Sequence, residues 1–175
     1  MKKALIIIDM QNDFITGALP NPEGQKIIEG IVTLIREFDG DIVVTRDTHN
    51  EKYLETQEGS YLPIPHCIEG TEGWQIVTEI QEELDKKPAE KVRYFNKYTF
   101  GCVGLGEFVL RKEYDAVELV GVCTDICVIS NALVIKACAP ETNIGIHRNL
   151  CAGVTPETHE IALQAMANCQ CDIIE

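Results

Sequence analysis

Basic residues are scarce in this chain of 175 residues: 15 Lys and Arg stand against 28 Asp and Glu, giving a formal net charge of −13. Nucleic acid and anionic membrane surfaces attract positively charged proteins, so both are poor partners for this chain. No apolar stretch approaches the roughly 18 residues of a membrane-spanning helix. The apolar start breaks at Asp9 without the small-residue cleavage site of a secretory signal. We therefore expect a cytoplasmic protein.

Cysteine spacings typical of zinc fingers are also absent, although the chain contains eight cysteines. Cys123 and Cys127 lie four positions apart, with no second pair at a matching distance. The chain length, the 45% apolar content and the missing secretory signal argue against a disulfide scaffold. We expect reduced thiols, most of which only pack the interior.

Strand-like apolar segments alternate with helical patterns along the chain, and no internal repeat interrupts them. This alternation predicts a three-layer α/β/α fold, with a mostly parallel sheet of about six strands covered on both faces. The length suits one domain, residues 1–175. The predicted strands are residues 3–8, 41–45, 92–95, 116–120, 142–146 and 171–174. The predicted helices are residues 24–38, 75–85, 104–112, 126–137 and 156–167.

Three residues that can carry chemistry follow three different predicted strands. Asp9 closes the first strand, Lys97 follows the third, and Cys127 lies in the first turn of the helix after the fourth. Ligands of such folds bind at the carboxyl ends of the strands, so the three can provide a base, an electrostatic partner and a nucleophile. A helix N-terminus also favours a thiolate at Cys127.

Each of these residues also has an ordinary interpretation. An Asp that closes a buried strand is more often a turn or cap residue than a catalyst. A Lys is usually solvated on the surface, and a free Cys commonly packs as a small apolar side chain.

A second group of polar residues lies in the one long irregular stretch, residues 46–74, and loops of that length are usually functional or disordered. Asp47 and His49 are two positions apart, so in an extended segment their side chains point to the same side. With His66 they give two imidazoles and a carboxylate, which suit zinc, iron or manganese. Polar loop residues without an ion remain an alternative, because no tight metal motif is present. We interpret the other two histidines, His147 and His159, as ordinary surface or loop residues.

Five motifs resemble those of the isochorismatase-like cysteine hydrolases and, within that superfamily, the nicotinamidases. The resemblance runs from Lys3 to about Cys171, with the motifs in the order that the family has them. The motifs are LIIIDMQNDF at 5–14, TRDTH at 45–49, PIPHC at 63–67, KYTF at 97–100 and GVCTDICV at 121–128.

The resemblance implies roles for most of these residues. The implied catalytic triad is Asp9, Lys97 and Cys127, and the implied metal ligands are Asp47, His49 and His66, with Glu58 or, less well placed, Glu55 as a fourth. It also implies a cis peptide bond between Val122 and Cys123, so that the backbone N–H groups of Cys123 and Cys127 form an oxyanion hole. Phe14 is expected to stack on the substrate ring.

The implied activity is the metal-dependent hydrolysis of nicotinamide to nicotinate and ammonia through a Cys127 thioester. The expected cofactor is Zn²⁺, with Fe²⁺ and Mn²⁺ as alternatives, and the expected partners are a small-molecule amide and further copies of the chain. The chain departs from the family pattern at Leu62 and Pro63 and in the shortened segment 98–101, which leaves the substrate open. A hydrolase of N-carbamoyl or ureido compounds and a non-enzymatic ligand-binding module are the alternatives.

Overall fold

The computed structural model describes residues 1–175 and contains six strands. The strands are β1 (Lys3–Ile8), β2 (Asp41–Asp47), β3 (Val92–Lys97), β4 (Ala116–Val122), β5 (Asn143–Ala152) and β6 (Asp172–Ile174). They form one sheet in the order β3-β2-β1-β4-β5-β6, and every neighbouring pair is parallel. The α/β prediction is therefore confirmed, and the sheet is parallel throughout.

Helices cover both faces of the sheet because the central strand β1 is apolar on both sides. The helices are α1 (Asn12–Ile15), α2 (Pro22–Lys26), α3 (Ile28–Glu37), α4 (Gln57–Tyr61), α5 (Thr78–Leu84), α6 (Val103–Lys112), α7 (Ile129–Cys138) and α8 (Pro156–Asn168). Ile6 and Ile8 pack with α6, α7 and α8, whereas Leu5 and Ile7 pack with α3 and α5. None of them is long and apolar enough to cross a lipid bilayer.

The predicted helices 24–38 and 75–85 have different bounds in the structure. The segment predicted as one helix, 24–38, forms α2 and α3, because Asn21 caps a short helix that starts at Pro22 and stops before Ile27. The helix predicted from residue 75 begins at Thr78, since the residues before it pair with the loop after β1. There Gln75 accepts a hydrogen bond from the backbone N–H of Asn12, and Val77 donates one to Met10.

The helix predicted over 126–137 also differs, since Thr124–Val128 forms a π-helical turn and α7 follows it. Strands β2 and β3 run to Asp47 and Lys97, so both residues are strand ends rather than parts of the following loops. Strand β5 is longer than predicted and continues to Ala152.

Candidate active site

The carboxyl edge of the sheet brings together Asp9, Lys97 and Cys127. The Nζ atom of Lys97 lies 2.7 Å from Oδ2 of Asp9 and 3.4 Å from Sγ of Cys127. All three are buried, with Lys97 only 2% exposed. A buried lysine in contact with a carboxylate and a thiol is not the solvated surface residue that composition favours.

The Asp9 carboxylate is fixed by the neighbouring strand. Thr45 on β2 donates a hydrogen bond of 2.6 Å from its hydroxyl to Oδ1 of Asp9, and accepts one of 3.2 Å from the Asp9 backbone N–H. The other oxygen, Oδ2, makes no well-aligned hydrogen bond although Lys97 is close. Burial raises the pKa of Asp9, Lys97 opposes this effect and Asp47 reinforces it. The carboxylate therefore keeps an oxygen free to accept a proton.

The surroundings of Cys127 disfavour its thiolate. Burial raises the pKa of the Cys127 thiol well above its ordinary value, and the charge of Asp9 adds to the effect, while Lys97 only partly opposes it. Desolvation and the neighbouring carboxylate thus oppose the thiolate that the helix N-terminus favours. A base must remove the thiol proton before Cys127 can act as a nucleophile.

The raised pKa of the Cys127 thiol predicts how its alkylation rate changes with pH. At neutral pH, iodoacetamide should modify Cys127 more slowly than the exposed Cys169, because only the thiolate reacts. The Cys127 rate should keep rising as the pH increases beyond about 8.5, the ordinary thiol pKa. Peptide mapping by mass spectrometry after timed alkylation measures both rates in one sample. A Cys127 rate that is fast and constant from neutral pH upward would contradict a raised pKa of the Cys127 thiol.

Lys97 also contacts a second group of residues, since its Nζ lies 3.0 Å from Oδ1 of Asp47. Burial opposes the Lys97 charge, but Asp9, Cys127 and Asp47 together raise the pKa of Lys97 well above its ordinary value. The ammonium group thus balances two buried carboxylates at once.

We expect Lys97→Met to lower the free energy of unfolding by about 3–5 kcal/mol, since it leaves buried carboxylates without a partner. Lys91→Met is a matched control, because Lys91 forms an exposed pair with Asp41 at 3.3 Å. Loss of the Lys91–Asp41 pair should lower the free energy of unfolding by at most about 1 kcal/mol. Urea denaturation of both variants measures the difference, and equal losses would mean that the buried pair contributes no more than a surface one.

Asp47 is also one of four side chains that form a compact group of potential metal ligands: Asp47, His49, Glu58 and His66. Their ligand atoms all lie within 4.8 Å of one another. The Nε2 atom of His49 is 2.9 Å from Oδ2 of Asp47, and that of His66 is 3.6 Å from the same oxygen. Oε1 of Glu58 lies 3.5 Å from His49 Nε2, whereas the side chain of Glu55 is exposed and outside the group.

The orientation of these side chains suits a divalent cation. His66 donates from Nδ1 to the carbonyl of Ile64 at 2.8 Å, which leaves the Nε2 lone pair directed at the group. Although burial opposes it, hydrogen bonds with His49 and His66 keep the pKa of Asp47 below its ordinary range. Two imidazoles with two carboxylates fit zinc, iron or manganese better than magnesium. Phe14 borders the group, with its ring centroid 5.4 Å from that of His66.

Two polar residues that sequence reasoning left without a role hold this group in place. Gln11, fully buried, accepts a hydrogen bond from the Asp47 backbone N–H at 2.7 Å and donates to the Asp47 carbonyl at 2.9 Å. Asp13 accepts a hydrogen bond of 2.7 Å from the backbone N–H of Cys67, next to His66. Both residues belong to the motif at 5–14 and lie close to Asp9 in the sequence. That position was the only feature of the sequence that could have indicated their role.

The segment around Cys127 is fixed by its own set of contacts. The peptide bond between Val122 and Cys123 is cis, as the family resemblance implies. Gly121 has φ of +118°, and a Cβ there would collide with the carbonyl oxygen of Ile8. Asn131 donates to the carbonyls of Cys127 at 2.8 Å and Phe100 at 3.0 Å, which links the turn to the loop after Lys97.

Comparison with known proteins relates the chain to one protein family, both by sequence and by structure. The profile of the Isochorismatase domain matches residues 3–175. The chain is 36% identical to the isochorismatase family protein PncA of Bacillus subtilis, with 96% of each chain covered. The crystal structure of nicotinamidase/pyrazinamidase PncA from Bacillus subtilis superposes with a TM-score of 0.89 at 32% identity, covering 100% of both chains. The pyrazinamidase of Pyrococcus horikoshii in complex with zinc superposes with a TM-score of 0.83 at 30% identity, covering 100% of this chain and 99% of the other.

Proposed function

This chain belongs to the isochorismatase domain family, and on that basis we propose that it is an amidohydrolase that converts nicotinamide to nicotinate and ammonia. The observation that carries the proposal is the position of Lys97. Its ammonium group contacts Asp9, Cys127 and Asp47, so the nucleophile and the potential metal group belong to one site. The product assigns the enzyme to pyridine nucleotide salvage.

In the proposed first half-reaction, Oδ2 of Asp9 accepts the Cys127 proton and the thiolate attacks the carboxamide carbon. The backbone N–H groups of Cys123 and Cys127 stabilise the oxyanion of the tetrahedral intermediate. Asp9 then returns the proton to the departing nitrogen, the C–N bond breaks, and ammonia leaves behind a thioester on Cys127. Lys97 balances the negative charge that moves between Asp9 and Cys127.

In the second half-reaction, Asp9 accepts a proton from water, and the hydroxide attacks the thioester carbonyl. The C–S bond breaks, nicotinate leaves, and the proton on Asp9 returns to Cys127. Because burial raises the pKa of Asp9, the carboxylate can take and return a proton at moderate cost in each half-reaction.

We propose that Asp47, His49, Glu58 and His66 hold one divalent metal ion and that Phe14 packs against the substrate ring. When bound, the ion, Zn²⁺ by preference and Fe²⁺ or Mn²⁺ as alternatives, supplies a Lewis-acidic position for the pyridine nitrogen. The four side chains hold their ligand atoms close together, and Gln11 fixes the backbone of Asp47, so this end of the site can orient the ring.

An assay of ammonia release distinguishes this function from its alternatives. The proposal expects release from nicotinamide, whereas a hydrolase of N-carbamoyl amino acids would release ammonia only from those compounds. A non-enzymatic binding module would release none from any of them. Nicotinamide, pyrazinamide and N-carbamoyl amino acids should be compared at equal concentrations, with Cys127→Ala as the control for contaminating activity. Release from carbamoyl compounds alone would refute the proposed substrate.

A further inference from the structure

The turn between Cys123 and Cys127 is held from behind by the corner that joins β5 to α8. The side chain of Thr124 is fully buried, and its hydroxyl lies 2.8 Å from Nδ1 of His159 on α8. The next residue, Asp125, accepts a hydrogen bond of 3.1 Å from the backbone N–H of Val154. The two polar side chains that follow Cys123 therefore both bind the β5–α8 corner.

This attachment matters because the turn is a π-helical segment rather than the regular start of an α-helix. In it the backbone N–H groups of Ile126 and Val128 both donate to the carbonyl of Cys123, at 3.1 and 3.0 Å. A π-turn is less favourable than α-helix and is found mostly where function requires it. Its backbone geometry, and with it the direction of the N–H groups of Cys123 and Cys127, depends on side chains that hold the turn.

The start of helix α8 and the close approach of Gly153 fix the position of His159. Helix α8 begins with a capping box between Thr155 and Thr158, immediately before it. A Cβ on Gly153 would lie only 2.9 Å from the backbone nitrogen of His159, so glycine allows the corner to approach the helix. Burial lowers the pKa of His159, and the Thr124 hydroxyl can either donate to Nδ1 or accept from it.

We propose that His159 is a positioning residue for the amide hydrolysis: through Thr124 it fixes the turn whose backbone N–H groups stabilise the oxyanion. The inference rests on the proposed function for the chemistry of the step, and on the His159–Thr124 contact for the role of the residue. It replaces the interpretation of His159 as an ordinary surface residue. His159 faces the back of the turn, so its effect should fall on the transition state and not on substrate binding.

Four variants test the proposal. His159→Gln carries its polar atoms further from the backbone than Nδ1, whereas His159→Asn places an amide oxygen and nitrogen near the Nδ1 position. His147→Leu is the control for His159→Leu, because His147 has a similar exposure and a carboxylate partner, Glu118, at 2.7 Å. We expect His159→Leu and His159→Gln to lower kcat for nicotinamide about 10- to 100-fold with KM within about twofold, since oxyanion donors are typically worth about 100- to 1000-fold. His159→Asn should recover most of the loss, and His147→Leu should leave kcat unchanged.

Two kinds of inhibitor separate a positioning role from a purely structural one. Loss of structure alone would weaken the binding of both inhibitors equally. An aldehyde such as 3-pyridinecarboxaldehyde forms a tetrahedral adduct with a thiol and so needs the oxyanion donors, whereas nicotinate does not. His159→Leu should weaken aldehyde inhibition by the same factor as kcat and change nicotinate inhibition by less than about threefold. Equal weakening of both inhibitors, or a kcat equal to that of the wild type, would overturn the proposal.

The failure of the proposed function would have a different signature. If the wild-type protein released no ammonia from nicotinamide, the substrate would be wrong, but the role of His159 would still be measurable. Small aldehydes protect a reactive thiol from iodoacetamide, and protection of Cys127 can be followed by mass spectrometry. Weaker protection in His159→Leu and His159→Gln than in His159→Asn would support the positioning role, and equal protection in all three would refute it.

Discussion

Replacement of Cys127 by Ala should lower ammonia release from nicotinamide by at least about 10⁴-fold, as removal of a covalent nucleophile typically does. The variant keeps Asp9, Lys97 and the backbone N–H groups, but it has no atom that can form the thioester. The loss should appear in kcat, while the binding of nicotinate changes little, because the alanine removes only a sulfur atom from the pocket. Steady-state assays and nicotinate titration measure the two effects separately.

Cys123→Ala is the matched control for this experiment. Cys123 provides a backbone N–H group in the proposed reaction, and its sulfur is only 4.0 Å from the Nδ2 atom of Asn21, a weak contact. Burial raises the pKa of the Cys123 thiol to about 12, and Cys123 lacks the contact that Cys127 Sγ makes with Lys97 at 3.4 Å. This variant should retain much of the activity. Full activity in Cys127→Ala together with its loss in Cys123→Ala would refute the assignment of the nucleophile.

Removal of the metal-binding group should have the second largest effect. His49→Ala, His66→Ala or treatment with a chelator should lower nicotinamide turnover by about 100-fold or more, because orientation of a substrate is worth several kcal/mol. Cys127 should still react with iodoacetamide in each case, since its contact with Lys97 and the pair between Lys97 and Asp9 do not involve the two imidazoles.

Metal analysis of the purified protein should accompany these assays, and readdition of Zn²⁺, Fe²⁺ or Mn²⁺ after chelation should restore turnover. His147→Ala provides the control, as it removes an imidazole far from the group in sequence and paired with Glu118. If chelated, metal-free protein binds and hydrolyses nicotinamide as well as the holo form, the proposed role of the ion is wrong.

The proximity of Asp9, Asp47 and Lys97 could be predicted from the sequence, because it follows from the topology of a parallel sheet. Each residue lies at or just after the end of an apolar strand, and the carboxyl ends of parallel strands meet at one edge of the sheet. His66 could be grouped with Asp47 and His49 from residue type, whereas the choice of Glu58 as the fourth member relied on the family resemblance. Glu58 lies on the short helix α4 and His66 in the loop after it, and no periodic pattern in the sequence determines the path of this segment.

Other features depended on tertiary contacts that have no local signal. Thr45, Gln11 and Asn131 are buried polar residues, and each has a hydrogen-bond partner about 30 or more positions away in sequence. The helix N-terminus is a local feature of the sequence, and it favours a thiolate at Cys127. Burial and the charge of Asp9 come from the assembled fold, and they raise the pKa of Cys127. His159 lies 35 positions from Thr124 and was likewise missed.

The most direct test of covalent catalysis is peptide mapping of protein that has been quenched with acid during turnover of nicotinamide. The proposed reaction predicts a nicotinoyl group attached to the peptide that contains Cys127, and its absence from Cys127→Ala treated in the same way. Hydroxylamine added before the quench should remove this group as nicotinohydroxamate, as expected for a thioester. Turnover without any acyl group on Cys127, or an acyl group on a different cysteine, would contradict the mechanism.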